Sequence, residues 1–246
     1  MTLATLSLGV KSRLADLTMT LDLGEVTAIC GPNGAGKSTL LASLAGLLAP
    51  DAGHVALGGQ PMAGLRPDVR ARTIGYLPQM PEVAWDLSVE VLVSLGRLPW
   101  HGVPGSEAQA AIDDAIAAMD LEAFRHRRVS QLSGGERARS LMARVLATGP
   151  SWLLADEPLA SLDLAHAASL VACFRKQAQL GRGVVLVLHD LAMAMNHADR
   201  VIVLDRGRLA ADGAPELALG ADVVARVWGC PARWVGEPGA RALSVG

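Results

Sequence analysis

"VTAICGPNGAGKSTLLASLAGLL", residues Val26–Leu48, joins three kinds of sequence in succession. Val26–Cys30 is a short apolar run rich in β-formers. "GPNGAGKST", Gly31–Thr39, is a glycine-rich turn, and the remainder has helical spacing. Strand, glycine loop and helix are the context in which G-x-x-x-x-G-K-[ST] acquires a mechanism. Every position of that pattern is filled. Gly31, Pro32, Asn33, Gly34, Ala35 and Gly36 are expected to curl so that backbone N–H groups face phosphates. Lys37 is expected to reach the outer phosphates and the Ser38 hydroxyl to ligate Mg²⁺, with Thr39 closing the motif.

Two further apolar runs extend the reading. "WLLADEP", Trp152–Pro158, is a strand that ends in two acids, and "VVLVL", Val184–Leu188, is a strand followed by His189. Both read as buried strands of a parallel sheet. The stretch between them, about Leu164–Leu180, reads as a helix ended by "GRG", so the alternation predicts an α/β core. Ligands of such sheets gather at the carboxyl ends of the strands. Asp156 is placed there to hold the Mg²⁺ shell, Glu157 to orient and deprotonate an attacking water, and His189 to hydrogen-bond the outermost phosphate. The other histidines (His54, His101, His126, His166 and His197) have no such placement and read as structural.

Residues 82–150 have almost no strand signal. "SVEVLVSLG" (Ser88–Gly96) reads as a short helix, and Ser106 with Gln109 predicts a capping box for a helix over Glu107–Met119. The segment reads as a helical insert. Gln79, in "GYLPQMP" just before it, is a candidate sensor of Mg²⁺ or the lytic water. Within the insert, "QLSGGERARS" presents the N–H groups of Ser133, Gly134 and Gly135 ahead of a helix, which suits a phosphate but lacks a lysine. After Asp199, "VIVLDRGRLAADG" reads as a hairpin. Short helices follow at Pro215–Leu219 and Asp222–Trp228, and the tail reads as a further small hairpin.

Composition bounds the function. The 246 residues are 51% hydrophobic but only 3% aromatic, so the core is built from Leu, Val and Ala. A formal net charge of −2 predicts no basic face and no nucleic-acid partner. Cys30, Cys173 and Cys230 fit neither a disulfide framework nor a zinc cluster and read as buried free thiols. No signal peptide is expected, and no apolar run is long enough to span a bilayer.

Taken together these motifs resemble the nucleotide-binding subunit of an ATP-binding cassette transporter, across essentially the whole chain. Walker A is Gly31–Thr39, the Q-loop carries Gln79 and the signature is Leu132–Glu136. Walker B ends at Asp156–Glu157, the D-loop is Ser161–Asp163, and His189 is the switch histidine. The resemblance implies a single domain over residues 1–246. Residues 1–81 and 150–205 would form a P-loop NTPase core with an N-terminal antiparallel β subdomain. Residues 82–149 would be an inserted α-helical signature subdomain, and 206–246 C-terminal hairpins and short helices. It implies ATP and Mg²⁺ as ligands, with Ser38, Gln79 and Asp156 about the metal. It also implies a head-to-tail dimer in which Ser133–Gly135 of one copy close over the other's ATP and Asp163 contacts the opposite site.

Two positions depart from the pattern. The upstream stretch "LSLGVKSR" offers Leu8 and Val10 where an adenine-stacking aromatic is common, so an apolar, loose base contact is expected. Ala138 stands where Gln is common, with little consequence expected. "VEVLVSLGRLPW", "ADEPLASLD" and "RWVGEPGARAL" resemble ATPases of iron-siderophore, haem and cobalamin importers. That subgroup implies integral membrane permease subunits as partners and a substrate-binding protein indirectly. The chain would lie on the cytoplasmic face of the inner membrane, with Ser88–Arg97 lining a groove for the permease. The resemblance leaves open another cargo (zinc, manganese or an amino acid), a soluble ATPase of iron–sulfur cluster assembly, and a regulator without turnover.

Overall fold

A computed structural model describes residues 1–79, 86–160 and 162–246. Met80 and Pro81 of the Q-loop stretch, the 81/82 boundary and Ser161 of the D-loop lie outside the described residues.

The first elements are β1 (Leu3–Val10), β2 (Leu14–Leu21), β3 (Val26–Cys30), α1 (Lys37–Leu44), β4 (Ala52–Leu57), β5 (Gln60–Pro61), α2 (Pro67–Thr73) and β6 (Ile74–Leu77). The middle holds α3 (Val89–Ser94), α4 (Gly105–Ala118) and α5 (Gly134–Ala147). The chain then returns through β7 (Trp152–Asp156), α6 (Leu164–Gln179), β8 (Gly183–Val187), α7 (Leu191–His197), β9 (Arg200–Asp205) and β10 (Arg208–Gly213). It ends with α8 (Pro215–Ala218), α9 (Ala221–Trp228), β11 (Ala232–Val235) and β12 (Ala242–Val245).

Among the described residues the central sheet has the order β10-β9-β3-β8-β7-β6. Neighbours from β9 to β6 are parallel, and β10 returns antiparallel as the expected hairpin. A strand covered on both faces must be apolar at every position, and β3, β7 and β8 are buried throughout. Alternate side chains point to opposite faces. Val184 and Leu186 therefore join one core, with α5, α6 and α7, while Val185 and Val187 join the other. That second core is closed by Leu40, Leu41 and Leu44 of α1 and by the antiparallel sheet β2-β1-β4-β5. Those three leucines are fully buried, each contributing about 2 kcal/mol of transfer free energy. The glycine loop between β3 and α1 is thus anchored on both sides.

The described part of the middle segment is helical, apart from one isolated bridge between Ser88 and Arg128. The capping box expected at Ser106 and Gln109 does not form. Pro104 holds the extended geometry that precedes a helix, so α4 begins at Gly105, earlier than expected, with no side-chain cap. The N–H groups of Glu107 and Ala108 donate to Pro104 O, which puts Ser106 inside the helix. Gln109 donates to Asp113, one turn on, at 3.0 Å. Of the thiols, Cys30 and Cys173 are buried as expected, and burial pushes them up to about 12 and about 11. Cys230 instead is half-exposed, because it follows α9 at the protein's edge.

Candidate active site

The glycine loop opens α1 in a way that leaves anion-binding donors free. The N-cap is Gly36 at φ 98°, which supplies no side-chain cap, and the first turn carries no acid. A Cβ on Gly36 would lie 2.6 Å from Leu14 Cδ2 and 2.8 Å from Arg13 O, so the β1–β2 turn packs directly on the loop. This contact corrects the expected base site. Leu8 and Val10 are buried in the core, and Arg13 and Leu14 are the hairpin residues beside the loop. Lys37 Nζ donates to Gly31 O at 2.8 Å and Pro32 O at 3.0 Å. Burial lowers its pKa, against the opposing pull of Glu157, Cys30 and Asp156. Its ammonium is therefore held over the loop by two carbonyls that an incoming phosphate can replace.

Asp156 ends β7 and is 4% exposed. Burial pushes its carboxyl above the usual range, against the neighbouring Ser38 hydroxyl, which lowers it. Its Oδ1 is buried without a hydrogen-bond partner. An orphaned, desolvated carboxylate oxygen beside a serine hydroxyl is a donor set suited to a hard divalent cation. Among the described residues no three His, Cys, Asp or Glu side chains converge as a metal cluster, so such a cation would need oxygens from its nucleotide.

Glu157 lies one residue past the strand at φ 50°, a left-handed conformation that costs a non-glycine residue about 1 kcal/mol. Its N–H donates to Val187 O at 3.2 Å, tying the turn to β8. The strained turn aims the carboxylate at two partners. Gln79 Nε2 donates to Oε2 at 2.6 Å, and His189 Nε2 contacts Oε1. His189 is held by its neighbour: Asp190 caps α7, accepting from Ala192 N at 2.8 Å and Met193 N at 3.1 Å. Gln79, Glu157 and His189 thus meet at the carboxyl edge of the sheet.

The Ser133–Gly135 loop is built differently. Ser133 is the N-cap of α5 in a reciprocal capping box, with Ser133 N donating to Glu136 Oε2 at 2.8 Å and Glu136 N to Ser133 Oγ at 3.3 Å. This signal was legible as S-x-x-E in the sequence and went unread there. The box spends donors that α1 keeps free and adds a carboxylate, so α5 alone is the weaker anion site. A cavity of about 350 Å³ has Gln79 and Glu157 on one wall and Gly134, Arg137 and Ala138 on another. Ala138 is the position where a longer Gln was anticipated, and its short side chain lines this space.

Asp163 caps α6, accepting from His166 N at 2.9 Å, and His166 Nδ1 returns to the same Oδ1 at 2.7 Å. The His166 ring also lies against Gly135. Sequence reading set His166 aside: its partner Asp163 is local, but its approach to Gly135 comes from the meeting of α6 with α5 and leaves no local signal.

Known proteins resemble this chain along most of its length. The family model described as "ABC transporter" matches residues 14–160, well over half of the chain. The hemin import ATP-binding protein HmuV of Nocardia farcinica is 45% identical over 216 residues, 87% of this chain and 75% of that protein. HmuV of Rhodococcus jostii is 40% identical over 231 residues, covering 94% and 79%. Among solved structures, cbiO1 of Clostridium perfringens, part of the ABC transporter complex cbiONQ, superposes with a TM-score of 0.80. Its identity is 29%, and the match covers 91% of this chain and 92% of cbiO1. The ATP-binding cassette MJ0796, in a dimeric post-hydrolysis state bound to ADP and Pi, gives 0.78 at 26% identity, covering 87% and 98%. With its strand–loop–helix, paired acids and capped signature helix in one frame, the chain belongs to the ABC transporter family and is one of its ATP-hydrolysing members.

Proposed function

We propose that this chain powers a membrane importer of a haem-type or related iron or cobalamin chelate, and that two copies close head to tail around two ATP molecules. The observation that carries the hydrolytic reading is the Glu157 carboxylate, held by Gln79 and His189 beside Asp156. The cargo reading rests on the relatives named for hemin import. Residues 1–81 with 150–205 would act as the nucleotide core, 82–149 as the signature subdomain and 206–246 as a C-terminal appendage.

In this reading the Gly31–Thr39 loop wraps the phosphates of ATP, and Lys37 exchanges its two carbonyl partners for phosphate oxygens. Ser38 and Asp156 would hold Mg²⁺, with Gln79 nearby, and a cation there would supply positive charge against the phosphates. Glu157 orients the attacking water and accepts its proton, while His189 and Gln79 fix the carboxylate. Ser133–Gly135 of the second copy close over the outer phosphate with N–H groups and the α5 dipole. Asp163 reaches the opposite site. Leu164, 90% exposed beside Asp163, is apolar surface that such a closure would cover.

A membrane partner is supported by a groove of about 460 Å³ between α2, α5 and the Leu95–Pro99 segment, with exposed Leu47 and Leu98 on its walls. No helix among the described residues is long and apolar enough to cross a membrane, so attachment to one would run through that partner. A substrate-binding protein would act through it, and the chain would lie on the cytoplasmic face of the inner membrane.

The test is Glu157→Gln. Turnover falls by roughly a hundredfold or more, and the variant with ATP and Mg²⁺ sediments as a dimer. A variant that stays monomeric with ATP overturns the closure reading. For cargo, reconstitution with the co-purifying membrane protein should give ATPase activity stimulated by a haem or siderophore chelate. Stimulation by free zinc or an amino acid alone would overturn it.

A further inference from the structure

We propose that His166 is a positioning residue. It holds the Asp163 carboxylate and the Ser133–Gly135 loop of one copy at a set spacing, so that both meet the nucleotide bound to the other copy. The proposal rests on the head-to-tail reading above and names a part of the machinery that reading lacks.

Three observations carry it. The first is the double use of one oxygen. An N-cap aspartate needs only a backbone donor, and Asp163 Oδ1 has that from His166 N at 2.9 Å. The imidazole then turns back, so that Nδ1 lies 2.7 Å from the same oxygen. The carboxylate is pinned in orientation while the residue remains well exposed at the protein surface. Both the neutral ring with its proton on Nδ1 and the protonated ring make this bond.

The second is the seat of the ring. A Cβ on Gly135 would lie 2.5 Å from His166 Cγ, 2.5 Å from Cδ2 and 2.8 Å from Nδ1. A Cβ on Gly134, next door, would meet nothing within 4 Å. Gly135 is therefore required by the close approach of His166. It is not required by an unusual backbone angle, since its φ is not positive. Binding an anion through backbone N–H groups explains small residues at both positions but does not explain this asymmetry.

The third is where the contact falls. His166 lies in the first turn of α6 and places its ring against Gly135 in the first turn of α5, and both helices begin with a side-chain cap. It is half-buried, whereas Asp163 and Leu164 beside it are exposed. One imidazole thus joins the two segments of this chain that the proposed dimer presents to the neighbouring copy. A misplacement of about 1 Å between groups that must act together can cost about a hundredfold in rate.

The experiment uses the full chain with the Glu157→Gln substitution, which should trap the ATP dimer. Adding His166→Ala should weaken ATP-dependent dimerisation about tenfold by sedimentation. Binding of a fluorescent ATP analogue to the monomer should stay unchanged. With Glu157 intact, His166→Ala should lower kcat and leave KM for ATP as it was. His166→Asn, whose amide N–H sits near the Nδ1 position, should recover part of the loss. Gly135→Ala should impair the dimer more when His166 is present than when it is Ala, because the collision with the ring adds to whatever the loop loses at the phosphate. Unimpaired dimerisation of the His166→Ala protein overturns the proposal. So does a loss of monomeric nucleotide binding that parallels the loss of dimer, which would make His166 a general packing residue. If the Glu157→Gln protein alone fails to dimerise with ATP, the head-to-tail reading has failed and this one falls with it.

Discussion

Asp156 shows at the scale of one residue how the site trades stability for function. Its carboxyl is raised by burial above the ordinary carboxylate range. An acid whose folded pKa is raised contributes its stability fully below the unfolded value and loses it as pH rises through the folded one. Once pH exceeds that folded value, the ionised, half-satisfied group therefore destabilises the nucleotide-free chain. Asp156→Asn should raise the melting temperature at pH 7 without nucleotide by about 2–4 °C, the shift expected for about 1 kcal/mol in a chain of this size. That gain should vanish in acid, where Asp156 itself becomes neutral. The same variant should lose the additional stabilisation that ATP with Mg²⁺ gives the native chain. Differential scanning calorimetry across pH measures all three effects, and a melting temperature unchanged at pH 7 would contradict the burial argument. Lys37, Ser38, Asp156, Glu157 and His189 were legible as candidates because each sits at a fixed offset from a strand end. Leu8 and Val10 were misjudged for a matching reason. They were taken from the stretch where the resembling family carries its aromatic, whereas the β1–β2 pairing turns both into the core and brings Arg13 and Leu14 to the loop.

At the scale of the element, two helix starts of the insert separate what local sequence decides from what it does not. Both Ser106 and Ser133 stand three residues before a Glu or Gln. Only Ser133 forms the box, because Arg128–Leu132 reaches it through a short 3₁₀ turn, whereas Pro104 has already started α4 two residues before Ser106. The core strands β3, β7 and β8 were legible, since burial on both faces writes itself as an unbroken apolar run, whereas β1, β2 and β4 have exposed positions, carry no such run and were not placed from their residues. The short helices α8 and α9 were legible from their punctuation by Pro215 and Gly220. The box at α5 has a measurable worth. Ser133→Ala removes the side-chain acceptor for Glu136 N, which should cost about 1 kcal/mol. The amides of the first turn of α5 should then exchange faster with solvent, while those of α6, capped by Asp163, stay as they are. Hydrogen exchange resolved to the two helix starts checks this. Equal acceleration at both would mean that the helices fray as one unit and that the box is not what holds α5.

At the scale of the whole molecule, the surface proposed for the membrane partner lies apart from the Glu157 cavity. Gly96 and Thr148 line the groove between α2, α5 and Leu95–Pro99, and a side-chain cluster braces them from beside it. Trp100 lies between the guanidinium groups of Arg72 and Arg97, 4.8 and 4.9 Å from its ring centroid, and its indole N–H donates to Thr148 O at 2.8 Å. Thr148 Oγ1 in turn donates to Gly96 O at 3.0 Å. Arg72 belongs to α2 of the core and the other members to the helical insert, so this cluster fastens one to the other where the groove lies. A groove already formed in the free chain spares a partner the cost of ordering it. Leu47 on the core side and Leu98 on the insert side are 66% and 63% exposed, and a partner with an apolar helix end would bury both. Burying a leucine is worth about 2 kcal/mol, so Leu98→Asp should weaken capture of the membrane partner by roughly tenfold or more. ATP-dependent closure of the isolated Glu157→Gln chain should be untouched by that change, because Leu98 lines neither the Glu157 cavity nor the loop around Lys37. Leu47→Asp should act in the same direction from the opposite wall, and the two together should abolish capture. If the doubly substituted chain still co-purified with its membrane partner at the native yield, the partner would have to sit elsewhere, and the Trp100 cluster would be only a brace between core and insert.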